Sequence, residues 1–172
     1  MRLLLPFLIS AIIATAQARE DFDPLLEERS PDAEVPAAVV ELAIEHEGDR
    51  MPGHIYLADG PGPHPTFLLL HGLPGNEKNL DIAQVLRRAG FNVLFFHYRG
   101  AWGAEGDYRM STLDDDVLAV LDYLRQPQNA GRLRIKTDRL SLLGHSLGGF
   151  TALAAGRQDP KVTCVAARSP AN

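Results

Sequence analysis

Apolar and polar positions along the chain predict strands that alternate with helices. Four short runs are predominantly apolar, at residues 66–70, 91–98, 140–143 and 162–167. Such continuous runs are typical of strands that helices cover on both faces. Helical patterns lie between these runs, at residues 79–89, after Thr112 and at residues 151–156. This alternation predicts an α/β fold with a mainly parallel sheet and helices on both faces.

The first part of the chain has a different pattern. Residues 39–45 and 54–58 alternate apolar and polar side chains, and the turn-forming residues 48–53 separate them. Alternation predicts strands with one buried face, so we expect an antiparallel hairpin at the edge of the sheet. Residues 19–36 are acidic and contain three prolines, which predicts a flexible lead-in before a single domain over residues 37–172.

Residues 1–18 have the pattern of a secretory signal peptide. Arg2 precedes an apolar run at residues 3–14, and the segment ends in Ala16-Gln17-Ala18. We expect cleavage after Ala18, a secreted or periplasmic protein, and no stable membrane insertion afterwards. An uncleaved anchor is the alternative, although the run is short for a membrane span.

Charge and the remaining polar residues narrow the choice of partners and cofactors. The net charge of -5 argues against nucleic acid or an anionic membrane surface as a partner. No histidine pair has the spacing of metal ligands, so we predict no metal and no cofactor. We interpret the acidic residues 114–116 as the solvated first turn of a helix and His54 as a surface residue. The sole cysteine, Cys164, lies in the fourth apolar run, where a small buried core residue is expected.

A Gly-x-Ser-x-Gly sequence, Gly144-His145-Ser146-Leu147-Gly148, joins the third apolar run to a helical pattern. Glycines on both sides let backbones approach closely, so Ser146 is predicted to occupy a strained turn with its hydroxyl at the positive end of the helix. A purely structural Gly-Ser turn is the alternative. Residues 71–75 follow the first apolar run and should lie at the same sheet edge. A backbone N–H from residues 71–73, with that of Leu147, could then stabilise a negative oxygen during acyl transfer.

Three segments together resemble the α/β-hydrolase superfamily, in particular its bacterial serine-aminopeptidase and esterase-like branch. They are residues 71–75, Tyr98-Arg99-Gly100 with Gly103 and Gly106, and residues 144–149, within a resemblance that spans roughly residues 39–172. The resemblance implies a nucleophilic Ser146, an oxyanion-hole amide at Leu73 and hydrolysis of an ester or amide in a small-molecule or peptide substrate. It also implies that His71 organises its loop by hydrogen bonding, and it assigns supporting roles to Gly72, Gly144, His145 and Gly148.

The chain departs from the superfamily downstream of Ser146. The superfamily order is serine, acid, histidine, yet no histidine follows Ser146 and the one carboxylate side chain there is Asp159. A serine hydroxyl without a base is a poor nucleophile. We therefore expect these residues to resemble only the N-terminal part of such an enzyme, with little activity alone. The alternatives are a non-catalytic remnant or binding module, and a split hydrolase completed by another segment or chain.

Overall fold

The computed structural model describes residues 22–27, 32 and 34–171. Within them lie six strands and four helices: β1 Ala38–His46, β2 Asp49–Leu57, β3 His64–Leu70, α1 Leu80–Arg88, β4 Asn92–Phe96, α2 Leu113–Arg125, α3 Pro127–Arg132, β5 Ile135–His145, α4 Leu147–Gln158 and β6 Cys164–Arg168. A short 3₁₀ turn, Met110–Thr112, precedes α2. Every helix in the described part of the chain is too short or too polar to traverse a bilayer. The predicted signal peptide lies outside the described residues.

All six strands belong to one sheet, in the order β1-β2-β4-β3-β5-β6. Strands β1, β2 and β4 pair antiparallel, whereas β4, β3, β5 and β6 pair parallel. The predicted α/β class, the hairpin at the sheet edge and the mainly parallel remainder are therefore confirmed. Because parallel strands end at the same edge, the loops after β3, β4 and β5 are brought together there.

The two faces of the sheet bury different amounts of apolar surface. The larger core lies beneath α2 and α4, and its fully buried residues include Ile44, Ile55, Leu68, Leu94, Phe96, Val117, Leu121, Leu142 and Ala152. On the opposite face α1 covers a smaller cluster formed by Leu69, Ala83 and Val93. Both faces of the central strands are therefore buried from solvent, which explains why their sequences are apolar without alternation.

The hairpin turn is shorter than the sequence predicts. Glu47 and Gly48 form it with positive φ angles of 53° and 91°, and β2 begins at Asp49. The interpretation of residues 48–53 as a turn is therefore wrong. Gly53 belongs to β2 because its backbone passes close to β4, where a Cβ would lie 2.6 Å from the Phe95 carbonyl oxygen. Pro52 is tolerated in β2 because it bonds through its carbonyl, which accepts a hydrogen bond from the His97 N–H (3.0 Å). This bond does not require the backbone N–H that proline lacks.

The expected burial of Cys164 is also wrong. Cys164 is exposed, and it begins β6, which pairs with β5 and has no strand beyond it among the described residues. An apolar run therefore marks a strand here without marking a buried one. Phe150 and Leu153 on α4, the helix that packs on β6, are also exposed.

Parts of the predicted lead-in contact the domain. The Asp59 carboxylate accepts hydrogen bonds from the backbone N–H groups of Asp32 and Ala37, and the Gly60 N–H donates to the Val35 carbonyl at 2.9 Å. Arg88 donates from Nε to the Pro24 carbonyl at 2.6 Å. These bonds bring the described lead-in residues against the loop after β2 and the end of α1.

Candidate active site

Ser146 occupies the sharp turn between β5 and α4. Its backbone has φ 55° and ψ -122°, a left-handed φ that non-glycine residues adopt only when the surrounding structure enforces it. Backbone bonds on both sides enforce it: the Ser146 N–H donates to the Arg168 carbonyl at the end of β6 (3.0 Å), and the Ser146 carbonyl accepts from Ala171 after β6 (3.1 Å) and from Phe150 in α4 (3.1 Å). The turn is thus held by backbone bonds, which leaves the side-chain hydroxyl free for other contacts.

The glycines around Ser146 are required by close backbone contacts. A Cβ on Gly144 would collide with the Gly148 carbonyl, and one on Gly148 would collide with the carbonyls of Leu70 and His71. No rotamer change relieves a clash between a Cβ and backbone, so both positions demand glycine. The steric reason predicted for the motif is therefore confirmed. The same contacts allow the first turn of α4 to pack closely against the end of β3.

The loop after β3 lies directly beside Ser146, as expected. A Cβ on Gly72 would lie 3.1 Å from the Ser146 Cβ and 3.7 Å from its Oγ. Leu147 is the first residue of α4, so its N–H has no acceptor inside the helix. Within the described part of the chain, neither this N–H nor that of Leu73 donates a hydrogen bond. Both amides that the sequence nominated for an oxyanion hole are therefore available, and their assignment to that role stays a prediction.

His71 is bound to its own loop and not to Ser146. Its side chain is 2% exposed, its Nδ1 lies 2.8 Å from the Gly72 carbonyl oxygen, and its ring centroid is 4.5 Å from that of Tyr98. The carbonyl can only accept, so Nδ1 must carry the proton. Burial lowers the pKa of His71, which keeps the imidazole neutral near pH 7. This geometry agrees with a loop-organising role.

Two further histidines, His54 and His97, lie against Phe95. The rings of His54 and His97 lie 5.5 Å and 5.0 Å from that of Phe95, and the Lys78 ammonium lies 5.5 Å from the same ring. The expectation that His54 is a surface residue is wrong, because it is half-buried in β2 against these rings. Burial lowers the pKa of His54 and lowers that of His97 to about 4.

No general base for Ser146 is identified among the described residues, since none of their side chains hydrogen-bonds to its Oγ. Asp159 lies at the opposite end of α4, where its carboxylate pairs with Arg125 at 2.5 Å. The described residues also contain no group of three histidine, cysteine or carboxylate side chains that could hold a metal ion. What the site offers chemically is a serine beside two free amides.

Asp116 is buried, although the sequence predicts a solvated first turn of the helix. The expected solvated carboxylate is 1% exposed and accepts from Arg99 twice, from Nε at 2.6 Å and from the backbone N–H at 3.0 Å. Burial raises the pKa of Asp116, and the bonds from Arg99 partly offset that increase. Arg99 also donates to Glu47 at 2.5 Å. The pair of Arg99 and Asp116 connects the loop after β4 to α2. The sequence contains three adjacent aspartates, and nothing in it indicates which of them is buried.

Comparison with known proteins shows which family the chain is similar to. The model of the alpha/beta hydrolase fold family matches residues 65–172. The chain is 28% identical over 141 residues to 2,6-dihydropseudooxynicotine hydrolase of Paenarthrobacter nicotinovorans, covering 80% of this chain and 36% of that protein. It is 33% identical over 110 residues to the sn-1-specific diacylglycerol lipase ABHD11 of Xenopus tropicalis, covering 62% of this chain and 31% of the lipase.

Solved structures agree at the level of the fold. The alpha/beta hydrolase GrgF from Penicillium sp. sh18 superposes with a TM-score of 0.65 at 22% identity, covering 79% of this chain and 46% of that structure. The chain spans about a third of the length of the curated relatives it matches. The family match extends over more than half of the chain and includes β3, the Ser146 turn and α4. The chain therefore belongs to the alpha/beta hydrolase fold family.

Proposed function

We propose that this chain carries the nucleophile and the oxyanion-hole amides of a serine hydrolase that cleaves ester or amide bonds through Ser146. The observation that supports it most directly is the contact between the Gly72 loop and Ser146, with unpaired N–H groups on Leu73 and Leu147. The assignment to a serine-aminopeptidase and esterase-like branch, and to a small-molecule or peptide substrate, is part of the same proposal.

In the proposed mechanism the Ser146 hydroxyl attacks the acyl carbon and transfers its proton to a base. The carbonyl oxygen becomes negative, and the Leu73 and Leu147 N–H groups stabilise it. Removing one such donor costs about 3 kcal/mol of transition-state stabilisation in a known hydrolase. The leaving group takes the proton from the base, and water then releases the acyl group from Ser146 by the reverse sequence.

We infer that the histidine and acid come from outside these 172 residues, either from the same polypeptide or from another chain. Two observations support this: the superfamily places both partners after the serine, and no described side chain bonds to Ser146 Oγ. The signal-like pattern of residues 1–18 supports a secreted or periplasmic location for the protein.

A fluorophosphonate probe tests the proposal, because it reacts with activated serines. We expect slow labelling of the 172-residue chain, faster labelling when imidazole is added as an external base, and none in Ser146→Ala. The natural polypeptide that contains these residues should label quickly without imidazole. A matched control is Ser141→Ala, which removes a hydroxyl from β5 away from the turn. Labelling that survives Ser146→Ala, or that imidazole does not accelerate, would contradict the proposal.

One observation favours a second candidate, a non-catalytic binding protein with a hydrolase-like fold: the described side chains, His71 included, form no hydrogen bond with the Ser146 Oγ. The natural polypeptide separates the two. A binding protein would bind an ester or amide ligand without turning it over, and it would resist the probe with or without imidazole.

A further inference from the structure

Trp102 connects the loop after β4 to the loop beside Ser146. It is the sole tryptophan of the chain, and its indole Nε1–H donates to the Pro74 carbonyl at 2.5 Å. Pro74 directly follows Leu73, the nominated oxyanion donor. The bond therefore joins residues 28 positions apart, and its acceptor lies one residue after Leu73.

The contact is accommodated by Gly75. A Cβ there would lie 2.6 Å from the Trp102 Nε1 and 2.8 Å from the His71 Cε1. The rings of Trp102 and His71 therefore both lie against the backbone of Gly75, where there is room only for a hydrogen atom. The φ angle of Gly75 is 91°. The loop is fixed at its start by the His71 bond to Gly72 and after Leu73 by the indole.

The loop that presents Trp102 is itself anchored. The Gly100 N–H donates to the Glu105 carbonyl at 2.8 Å, and the Glu105 N–H donates to the Arg50 carbonyl at 3.0 Å. Arg99, at the root of the loop, is tied to Asp116. A hydrogen bond from such a loop can restrain its acceptor, whereas a bond from a freely moving loop could not.

Burial does not account for an indole at this position. Trp102 is 57% exposed and has φ 46°, a left-handed backbone that a bulky residue adopts at a cost. The indole N–H is the part of this side chain that has a specific partner, the Pro74 carbonyl.

We propose that Trp102 is a positioning residue whose indole N–H holds the Pro74 carbonyl and so keeps the Leu73 N–H beside Ser146. This role rests on the proposed function, since a fixed Leu73 amide matters only if an oxyanion forms there. Trp102 itself acts through the loop and needs no contact with the substrate.

The first test uses the single indole N–H resonance that one tryptophan gives in a ¹⁵N-edited spectrum. We expect its exchange with water to be much slower than in the unfolded chain, and its chemical shift to move when a phosphonate occupies Ser146. An indole proton that exchanges as in the unfolded chain would overturn the proposal. This measurement requires no variant, so it stands even if a substitution disturbs folding.

The second test compares fluorophosphonate labelling of the wild-type chain, Trp102→Phe and the control Met110→Leu, all with imidazole. Phenylalanine keeps an aromatic ring and lacks the donor, so the maximal inactivation rate should fall roughly threefold to tenfold, the effect of one neutral hydrogen bond. The probe concentration for half-maximal rate should not change. Met110 is equally exposed at 56% and lies outside the site, so its variant should label like wild type.

The two proposals fail in different ways. If the wild-type chain does not label at Ser146, the proposed function is refuted and the role of Trp102 falls with it. If the wild type labels and Trp102→Phe labels equally fast, the role of Trp102 alone is refuted.

Discussion

Replacing Asp116 by alanine tests whether the buried pair with Arg99 holds the loop after β4 in place. The side chains of Arg99 and Asp116 are 10% and 1% exposed, so solvent screens their interaction little. Alanine removes both acceptors that Asp116 offers, one for the Arg99 Nε and one for its backbone N–H. The guanidinium keeps one partner, Glu47, whose side chain is 69% exposed.

The expected loss follows from this partial compensation. Removing one member of a buried ion pair costs about 3 to 5 kcal/mol, because a charge is left buried without its partner. Because the bond to Glu47 survives, we expect Asp116→Ala to lower the free energy of unfolding by about 3 kcal/mol, the lower end of that range. For a domain of this size each kcal/mol lowers the melting temperature by about 2 to 4 °C, so the shift is roughly 6 to 12 °C.

Asp115→Ala is the matched control for a thermal or urea denaturation assay followed by circular dichroism. Asp115 is exposed in the same first turn of α2, and both variants remove one favourable charge from the helix N-terminus, worth about 0.3 to 1 kcal/mol. The difference between the two variants therefore isolates the pairing with Arg99. A difference below about 1 kcal/mol would refute the reasoning, since two hydrogen bonds to a buried charge must contribute more than that.

Three further predictions test other parts of the structure. Burial lowers the pKa of His97 to about 4, whereas a histidine in the unfolded chain has a pKa of about 6.5. Between these pH values the unfolded state binds more protons, so the melting temperature should fall as the pH drops through this window, and it should fall less steeply in His97→Gln. Gly148→Ala should destabilise the chain by about 2 to 3 kcal/mol through its clash with β3, whereas Gly131→Ala in α3, with no atom near its Cβ position, should be neutral or stabilising in urea denaturation. Cys164 is exposed, so Ellman's reagent should modify it in the folded 172-residue chain nearly as fast as in the unfolded chain; slow modification would contradict the observed position of β6.

The elements that the sequence predicts best are those whose patterns have one physical cause. Runs such as Leu68–Leu70 are apolar because both sheet faces are covered there, and their alternation with helical patterns is typical of an α/β sheet. The contact between Gly72 and Ser146 could be anticipated for a similar reason, since adjacent parallel strands must deliver their loops to one edge.

The sequence fails where a residue type is compatible with two environments. Pro52 and Gly53 are typical of turns, yet here glycine allows close approach of β4 and proline contributes a carbonyl to it. Asp116 resembles its two acidic neighbours, and only the position of Arg99 in space distinguishes it. The bond from Trp102 to Pro74 is equally invisible, because no local pattern links positions that far apart in the chain.

The contacts at this edge separate two parts of catalysis that are often treated together. Ser146 is oriented by backbone bonds to the end of β6, and the Leu73 loop is held by His71 and Trp102; none of these contacts involves a general base. In serine proteases, substrate binding and the oxyanion hole still accelerate hydrolysis by about 10³- to 10⁴-fold over water after triad residues are removed. If the proposed function is correct, the described residues supply the oxyanion-hole share of that acceleration, and the partner of Ser146 supplies the proton transfer.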